Sequence, residues 1–204
     1  MINSIKEIVS DDIFIPNSNN KVVIFENDNN NRHKALKKII FEKCPDNILV
    51  LKLDKNTPIS KNFNKNNNKG INKGVDAVII TDDRILFVEL KSTKIKEKPI
   101  AEKMFASIAF IKNIDYLLEY FYNKSINNLN VGAIVFGLIR SNKRLPKTKP
   151  RQEISFNNKA YKMSNNKRIQ VLEVKKENPT DYKIKFEYLI SNVRPLSKTF
   201  KNWP

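Results

Sequence analysis

The segment from Gly74 to Thr93, GVDAVIITDDRILFVELKST, contains the pattern that decides the fold of this chain. Two runs rich in Val, Ile, Leu and Phe, at 75–81 and 85–90, are separated by Asp82-Asp83. Short β-branched runs on either side of turn-forming residues are typical of a β-hairpin. We therefore predict two antiparallel strands joined by a tight turn.

The length of this turn decides which side chains face each other across the hairpin. If the two aspartates occupy the central turn positions, Asp76 lies opposite Glu89 on one face of the sheet. Lys91 lies on that face too, because side chains two residues apart along a strand point the same way. A four-residue loop keeps this register, whereas a three-residue loop moves Asp76 to the other face. In the first register the two carboxylates repel each other, and a divalent cation would relieve the repulsion.

Both faces of the predicted hairpin are apolar, which is typical of strands covered on both sides in α/β folds. Charged side chains at the edge of such a layer are costly unless they are paired or bind a metal. The alternative interpretation is that strand ends often carry solvated charges and that this spacing arises by chance. The trio would then be structural, or what is left of a lost site.

Asp76 is followed, after twelve residues, by Glu89 to Lys91 (ELK). At these residues the chain resembles the PD-(D/E)xK nuclease superfamily, which has the restriction-endonuclease-like fold. Val75 stands where the motif has proline, a position at which the family varies. The resemblance covers about residues 74–121 and extends to the rest of the chain only in general layout.

This resemblance implies an α/β three-layer sandwich, in which a central mixed β-sheet is flanked by helices and the core carries extra C-terminal strands. It also implies Mg²⁺-dependent hydrolysis of phosphodiester bonds in DNA, with Mn²⁺ as a substitute metal. Asp76, Glu89 and the backbone carbonyl of Leu90 would bind the metal. Lys91 would orient the attacking water or stabilise the charge that develops at the phosphorus.

Four further residues are accessory candidates because some family members carry additional residues around the site. They are His33 and Glu42, on a predicted helix, and Lys103 and Ser107, one turn apart on another. Each also has a structural explanation without a functional role: a lone histidine on an apolar helix face is usually a packed core residue, and exposed lysines are common.

The remaining elements follow from periodicity and from Pro, Gly and Asn punctuation. We predict a single nuclease-like domain, 1–204, with its core at about 21–139, a basic loop at 140–151, and C-terminal strands and a tail at 152–204. The predicted elements are a strand or helix lead-in at 22–25, helix 31–44, strand 48–53, a Lys/Asn-rich loop 54–73, helix 99–122, strand 131–139, and strands 167–174 and 182–189 as a hairpin around Asn178-Pro179.

The amino-acid composition limits the classes of partner and metal that this chain is expected to bind. Among 204 residues, 38 are Lys or Arg and 21 are Asp or Glu, giving a net charge of +17. Such a balance favours a polyanion, and DNA before a membrane surface. The richness in Lys, Asn and Ile also fits low-GC coding without a functional cause.

One Cys and one His make zinc ligation improbable and favour a hard cation such as Mg²⁺. No apolar run long enough for a bilayer is present, so we predict a cytoplasmic protein.

The predicted loop 140–151 concentrates positive charge without any acidic residue between its cations. Such density favours phosphate contact over an ordinary solvated loop. Its basic residues are Arg140, Lys143, Arg144, Lys147, Lys149 and Arg151.

The function predicted from the sequence is a metal-dependent DNA nuclease, an endonuclease of restriction, defence or repair type. Cleavage of both strands by one site per chain would favour a homodimer. Two alternatives stay open: a catalytically inactive nucleic-acid-binding protein of the same fold, and a protein-interaction subunit.

Overall fold

The computed structural model describes residues 1–25, 38–53, 74–91, 97–139, 160–162, 168–175, 181–193 and 195–201. Within them the chain is a mixed α/β fold with two mixed sheets and three α-helices. The helices are α1 (Ile2–Ile8), α2 (Glu97–Tyr122) and α3 (Phe186–Asn192). The strands are β1 (Lys21–Phe25), β2 (Lys38–Glu42), β3 (Leu49–Leu51), β4 (Ala77–Ile80), β5 (Arg84–Lys91), β6 (Asn130–Ile139), β7 (Ala160–Lys162), β8 (Arg168–Lys175) and β9 (Asp181–Lys185).

The larger sheet has six strands in the order β3-β4-β5-β6-β8-β7. Strands β3, β4 and β5 form an antiparallel meander. Helix α2 then carries the chain across the sheet, so that β6 lies parallel to β5. The predicted helix 99–122 and strand 131–139 are thus confirmed. Their parallel pairing with β5 is the arrangement that a strand–helix–strand crossover gives.

Helices cover one face of this sheet. Val78 and Phe87 of the hairpin share a buried cluster with Ile100, Met104 and other residues of α2, and with residues of α1. The helix presents these side chains because apolar residues recur along it at helical spacing. Pro99 is tolerated because the first turn lacks partners for its backbone N–H groups.

The second sheet and α3 cover the opposite face. Strand β2 pairs antiparallel with β1 and parallel with β9. Ile39 and Phe41 of β2 are fully buried in one cluster with Ile79 and Val88 of the hairpin. Both faces of the hairpin are therefore buried, as its two apolar faces predict.

The prediction of a helix over 31–44 is wrong for the part that the structure describes, since 38–42 is strand β2. Residues 31–37 of that prediction lie outside the described residues. The apolar residues at 39, 40 and 44 fit a helical stripe. However, the β-branched Ile39 and Ile40 followed by Phe41 also suit a strand, and the sequence-distant partner β9 selects that state.

The prediction for the C-terminal region is partly wrong. Strand β8 agrees with the predicted strand 167–174, but the second strand ends at Lys185 and α3 begins at Phe186. The two strands do not form a hairpin, because β8 pairs with β6 and β9 pairs with β2. Neighbouring strands commonly pair as a hairpin, but here β9 pairs with β2, which lies more than 140 residues away in the sequence.

The N-terminal region is more regular than predicted. No regular element is predicted for residues 1–20, but they contain α1 and a short 3₁₀ turn, Asp11–Ile13. Ile5, Val9 and Ile13 join the core. Near the other end of the chain, Phe200 is fully buried. The loop 54–73 lies outside the described residues.

Candidate active site

The register of the hairpin matches the prediction made from a two-residue turn. Val78 pairs with Phe87 and Ala77 with Val88, and the Thr81 N–H donates to the Arg84 carbonyl at 2.9 Å. The same register, continued by one residue beyond the Ala77–Val88 pair, places Asp76 beside Glu89 of β5. The alternative register from a three-residue loop is excluded.

The turn is held by charged side chains. The Arg84 guanidinium donates to the Asp83 carboxylate at 2.7 Å, and the Thr81 hydroxyl donates to the same carboxylate at 2.7 Å. The hydrogen bond from Arg84 is the main reason that the pKa of Asp83 lies below its ordinary value. Asn47 adds a hydrogen bond to the Asp82 carboxylate. These contacts fix the two-residue turn and hence the register.

Asp76 is held by the strand opposite. Its Oδ2 accepts a hydrogen bond from the Leu90 N–H at 2.5 Å, and the residue is only 5% exposed. The preceding backbone is anchored too, because the Val75 N–H donates to the Ser107 hydroxyl of α2 at 2.9 Å. Gly74 passes so close to Leu53 that an added Cβ would lie 2.6 Å from the Leu53 carbonyl oxygen. Only glycine fits there without displacing the chain that leads to Asp76.

Glu89 is the most deeply buried charged residue of the cluster, with 0% exposure. Its Oε1 lies 2.5 Å from the Lys91 Nζ and 2.8 Å from the Lys103 Nζ. Both contacts are ion pairs rather than well-directed hydrogen bonds. The Lys103 Nζ also lies 3.9 Å from the Asp76 Oδ1, so that one ammonium group joins the two carboxylates.

These four side chains, Asp76, Glu89, Lys91 and Lys103, form what we call the charged cluster. Its formal charges cancel, which is the condition under which charged groups are tolerated away from water. The lysine side chains are 21% and 16% exposed, whereas the carboxylates are nearly or fully enclosed. The lysines are therefore the more accessible part of the charged cluster, and the carboxylates are its buried part.

The donor set of the charged cluster fits a hard divalent cation. The Glu89 Oε2 is buried and has no hydrogen-bond partner among the described residues, so it is an acceptor that a cation could use. Mg²⁺ is commonly held by one or two carboxylates and completes its coordination with water and substrate oxygens. No group of three or more His, Cys, Asp or Glu side chains suited to a metal occurs in the described part of the chain. A cation here would therefore depend on the two carboxylates.

The remaining predicted residues have different outcomes. Lys103 lies in the charged cluster. The Ser107 hydroxyl links the backbone on both sides of the cluster, because it accepts from the Val75 N–H and donates to the Lys103 carbonyl at 2.8 Å. The described contact of Leu90 with Asp76 is made by its N–H, so that metal ligation by its carbonyl stays a prediction. Glu42 ends β2 in the other sheet, opposite Lys21 and Lys185, and has no described contact with the charged cluster.

Several predicted residues cannot be placed. His33 and all six cations of the basic loop (Arg140, Lys143, Arg144, Lys147, Lys149 and Arg151) lie outside the described residues. In contrast, the sequence interpretation missed Gly74. The signal was present, because a glycine two residues before a candidate catalytic aspartate marks a close approach of the backbone.

None of the described helices is both long and apolar enough to cross a membrane. No protein-family model, curated protein or solved structure matches this chain.

Proposed function

We propose that the charged cluster is the active site of a metal-dependent nuclease that hydrolyses phosphodiester bonds of DNA. One observation carries the proposal: Glu89 is wholly buried, its Oε1 binds two ammonium groups, and its Oε2 has no partner in the described part of the chain. A purely structural cluster would be expected to satisfy both oxygens, because a buried acceptor without a donor costs about 1–3 kcal/mol.

Each side chain of the cluster has a chemical role in this proposal. Asp76 and Glu89 would hold Mg²⁺, or Mn²⁺ in its place. A bound divalent cation supplies a polarised phosphate and a water of lowered pKa. The Leu90 N–H keeps the Asp76 carboxylate oriented, at 2.5 Å. Lys91 is the more exposed of the two lysines, so its ammonium is suited to orient the attacking water or to stabilise charge on the phosphate.

The second lysine has a positioning role. The Lys103 ammonium contacts both carboxylates and offsets their mutual repulsion before a metal binds. Helix α2 sets its position, since the neighbouring Met104 is buried against the sheet. Lys103 therefore keeps the two carboxylates together without needing to touch the substrate.

The architectural part of the proposal is a restriction-endonuclease-like three-layer core. The antiparallel meander β3-β4-β5, the crossover through α2 and the parallel strand β6 support it. The layer opposite α2 differs from the expected pair of flanking helices, because the second sheet and α3 cover that face. The net charge of +17 supports a polyanionic substrate.

The test is incubation of supercoiled circular DNA and linear DNA with the protein in Mg²⁺, Mn²⁺ or EDTA. We expect the wild type to cut in either metal and to be inactive in EDTA, and Glu89→Gln to be inactive throughout. Glu187→Gln, which changes an exposed carboxylate of α3, is the matched control and should cut normally. Metal-dependent cutting by Glu89→Gln at the wild-type rate would refute the proposal. Salt-dependent binding of DNA without any metal-dependent product would support the inactive binding protein instead.

A further inference from the structure

A cavity of about 440 Å³ opens next to the charged cluster, and Asp76 forms part of its wall. The rest of the lining is mainly apolar, with Phe14, Ile15 and Phe25 among its residues and Lys21 and Lys52 as its cations. Its volume lies within the range of pockets that take small organic ligands, roughly 300–1,000 Å³.

The cavity is built from two strand edges. Residues 13–15 run antiparallel along β3, since the Ile15 N–H donates to the Val50 carbonyl at 2.8 Å and the Lys52 N–H to the Ile13 carbonyl at 2.7 Å. Strand β1 supplies Phe25 from the second sheet. Lys52 directly follows β3, the strand paired with β4, and so lies at the end of the sheet where Asp76 begins the hairpin.

The chemistry of the lining indicates the class of ligand. Phe25 is 56% exposed, which leaves an aromatic ring partly in water at the cavity. Lys21 and Lys52 line the same cavity, and their charges suit an anion bound there. An aromatic ring and ammonium groups that line one cavity are a combination that binds an unpaired nucleobase and its phosphates, through stacking and ionic contact.

We propose that this cavity holds the unpaired nucleobase of the nucleotide next to the phosphate that the charged cluster cleaves. The inference rests on the proposed nuclease function and narrows its substrate. A base that is stacked in a duplex cannot enter such a cavity without leaving the helix. The preferred substrate is therefore a DNA strand with an unpaired or extruded nucleotide at the position of the cut.

The test measures binding in EDTA, so that no cleavage occurs. The probes are two DNA duplexes that carry one unpaired nucleotide, either with its base or as an abasic analogue. We expect the wild type to bind the base-containing probe about tenfold or more tightly than the abasic one, the range that stacking on one aromatic residue allows. Phe25→Ala should lose this preference and Phe25→Tyr should keep it. Tyr120→Ala removes a 75% exposed aromatic residue of α2 and should leave the preference unchanged.

Equal binding of the two probes by the wild type, or an unchanged preference in Phe25→Ala, would overturn the inference. Cleavage of the base-containing probe in Mg²⁺ is measured separately, to keep the two proposals distinguishable. Cleavage without preference for the base refutes the cavity alone. A preference that Phe25→Ala abolishes, without cleavage by the wild type, supports a base-binding cavity and refutes hydrolysis.

Discussion

At the scale of single residues, Glu89 is the buried carboxylate on which the charged cluster depends. A carboxylate with no solvent exposure is stable only while its charge is compensated, and Lys91 and Lys103 provide that compensation. Removing one partner of a buried ion pair is far more costly than removing one at the surface. The energetics of Glu89 therefore depend on which cations surround it.

The first prediction concerns competition for Glu89. A divalent cation bound at Glu89 would be repelled by the Lys103 ammonium, which contacts the same carboxylate. Lys103→Met keeps the aliphatic stem and removes the charge, so in EDTA we expect it to lower the free energy of unfolding by about 3–5 kcal/mol. Because the metal then meets no competing ammonium, the gain in this free energy on adding Mg²⁺ should exceed that of the wild type.

Denaturant unfolding in Mg²⁺ and in EDTA measures both quantities. Lys112→Met, at an exposed position of the same helix, is the control and should behave like the wild type. Equal Mg²⁺-dependent gains in Lys103→Met and the wild type would show that the ammonium and the metal do not share the carboxylate.

The second prediction concerns Cys44, which is 1% exposed. Burial raises the pKa of its thiol from the ordinary value of 9.0 to about 11, and the thiol donates to the Phe41 carbonyl at 3.5 Å. Between about pH 9 and pH 11 the unfolded chain loses this proton while the folded chain keeps it. The unfolded state is thereby favoured, so the free energy of unfolding should fall by roughly 2–3 kcal/mol over that window because of this group.

The comparison is with Cys44→Ala, in urea unfolding at a series of pH values. The variant has no thiol, so its free energy of unfolding has no pH dependence from this position. The free energy of unfolding of the wild type does depend on pH through the thiol. The difference between the two proteins should therefore shrink as the pH rises from 9 to 11. A constant difference over that window would contradict the prediction.

The sequence predicted the residues of the hairpin better than those that come from elsewhere. Asp76, Glu89 and Lys91 follow from one local pattern, because strand period and turn length fix their faces. Lys103 could be named only as a candidate, since its contact with Glu89 depends on how α2 crosses the sheet. No local rule gives that crossing.

At the scale of elements, α2 does more than cover the sheet. Its Ser107, which is fully buried, accepts from the Val75 N–H and so ties the helix to the residue before Asp76. After Tyr122 the helix ends with Asn123 at a φ of 50°. The Asn123 N–H donates to the Glu119 carbonyl, the bond of an αL cap, and the Lys124 N–H donates to the Leu118 carbonyl. This cap turns the chain towards β6.

The third prediction tests the tie between α2 and the approach to Asp76. Ser107→Ala leaves the Val75 N–H buried without its acceptor, so we expect the free energy of unfolding to fall by about 1–3 kcal/mol. Cleavage should also slow, because the segment before Asp76 is then less well fixed. Ser191→Ala removes an exposed hydroxyl that donates to the Tyr188 carbonyl within α3, and it should change the stability by less than about 0.5 kcal/mol. Wild-type stability in Ser107→Ala would show that the tie does not matter.

The strands and α2 were predictable because their period and punctuation agree with their final state. The segment 38–42 was not, since Ile39, Ile40 and Phe41 suit a strand as well as a helix and only pairing with β9 decides between them. The same long-range pairing defeats the expected C-terminal hairpin. Elements whose identity depends on a sequence-distant partner are the ones that local patterns predict worst.

At the scale of the whole molecule, the net charge of +17 predicts binding of a polyanion that weakens steeply with salt. The fourth prediction assigns part of this to the basic loop 140–151, which lies outside the described residues. Replacing Arg144 and Lys147 together by glutamine should flatten the slope of log affinity against log salt by about two units, at about 0.9 for each phosphate contact.

The matched control replaces Lys6 and Lys112, exposed residues of α1 and α2, in the same way. If the basic loop contacts phosphates, the control should keep the wild-type slope. The same flattening in both variants would mean that general charge, rather than this loop, accounts for the effect.

The fifth prediction concerns the metal site itself, in which Asp76 and Glu89 together would hold a divalent cation. It is tested by calorimetric titration of the wild type, Asp76→Asn and Glu89→Gln with Mn²⁺. Because both carboxylates belong to one site, we expect a single cation per chain in the wild type and no saturable binding in either variant. Binding of Mn²⁺ by both variants with the affinity of the wild type would contradict the account.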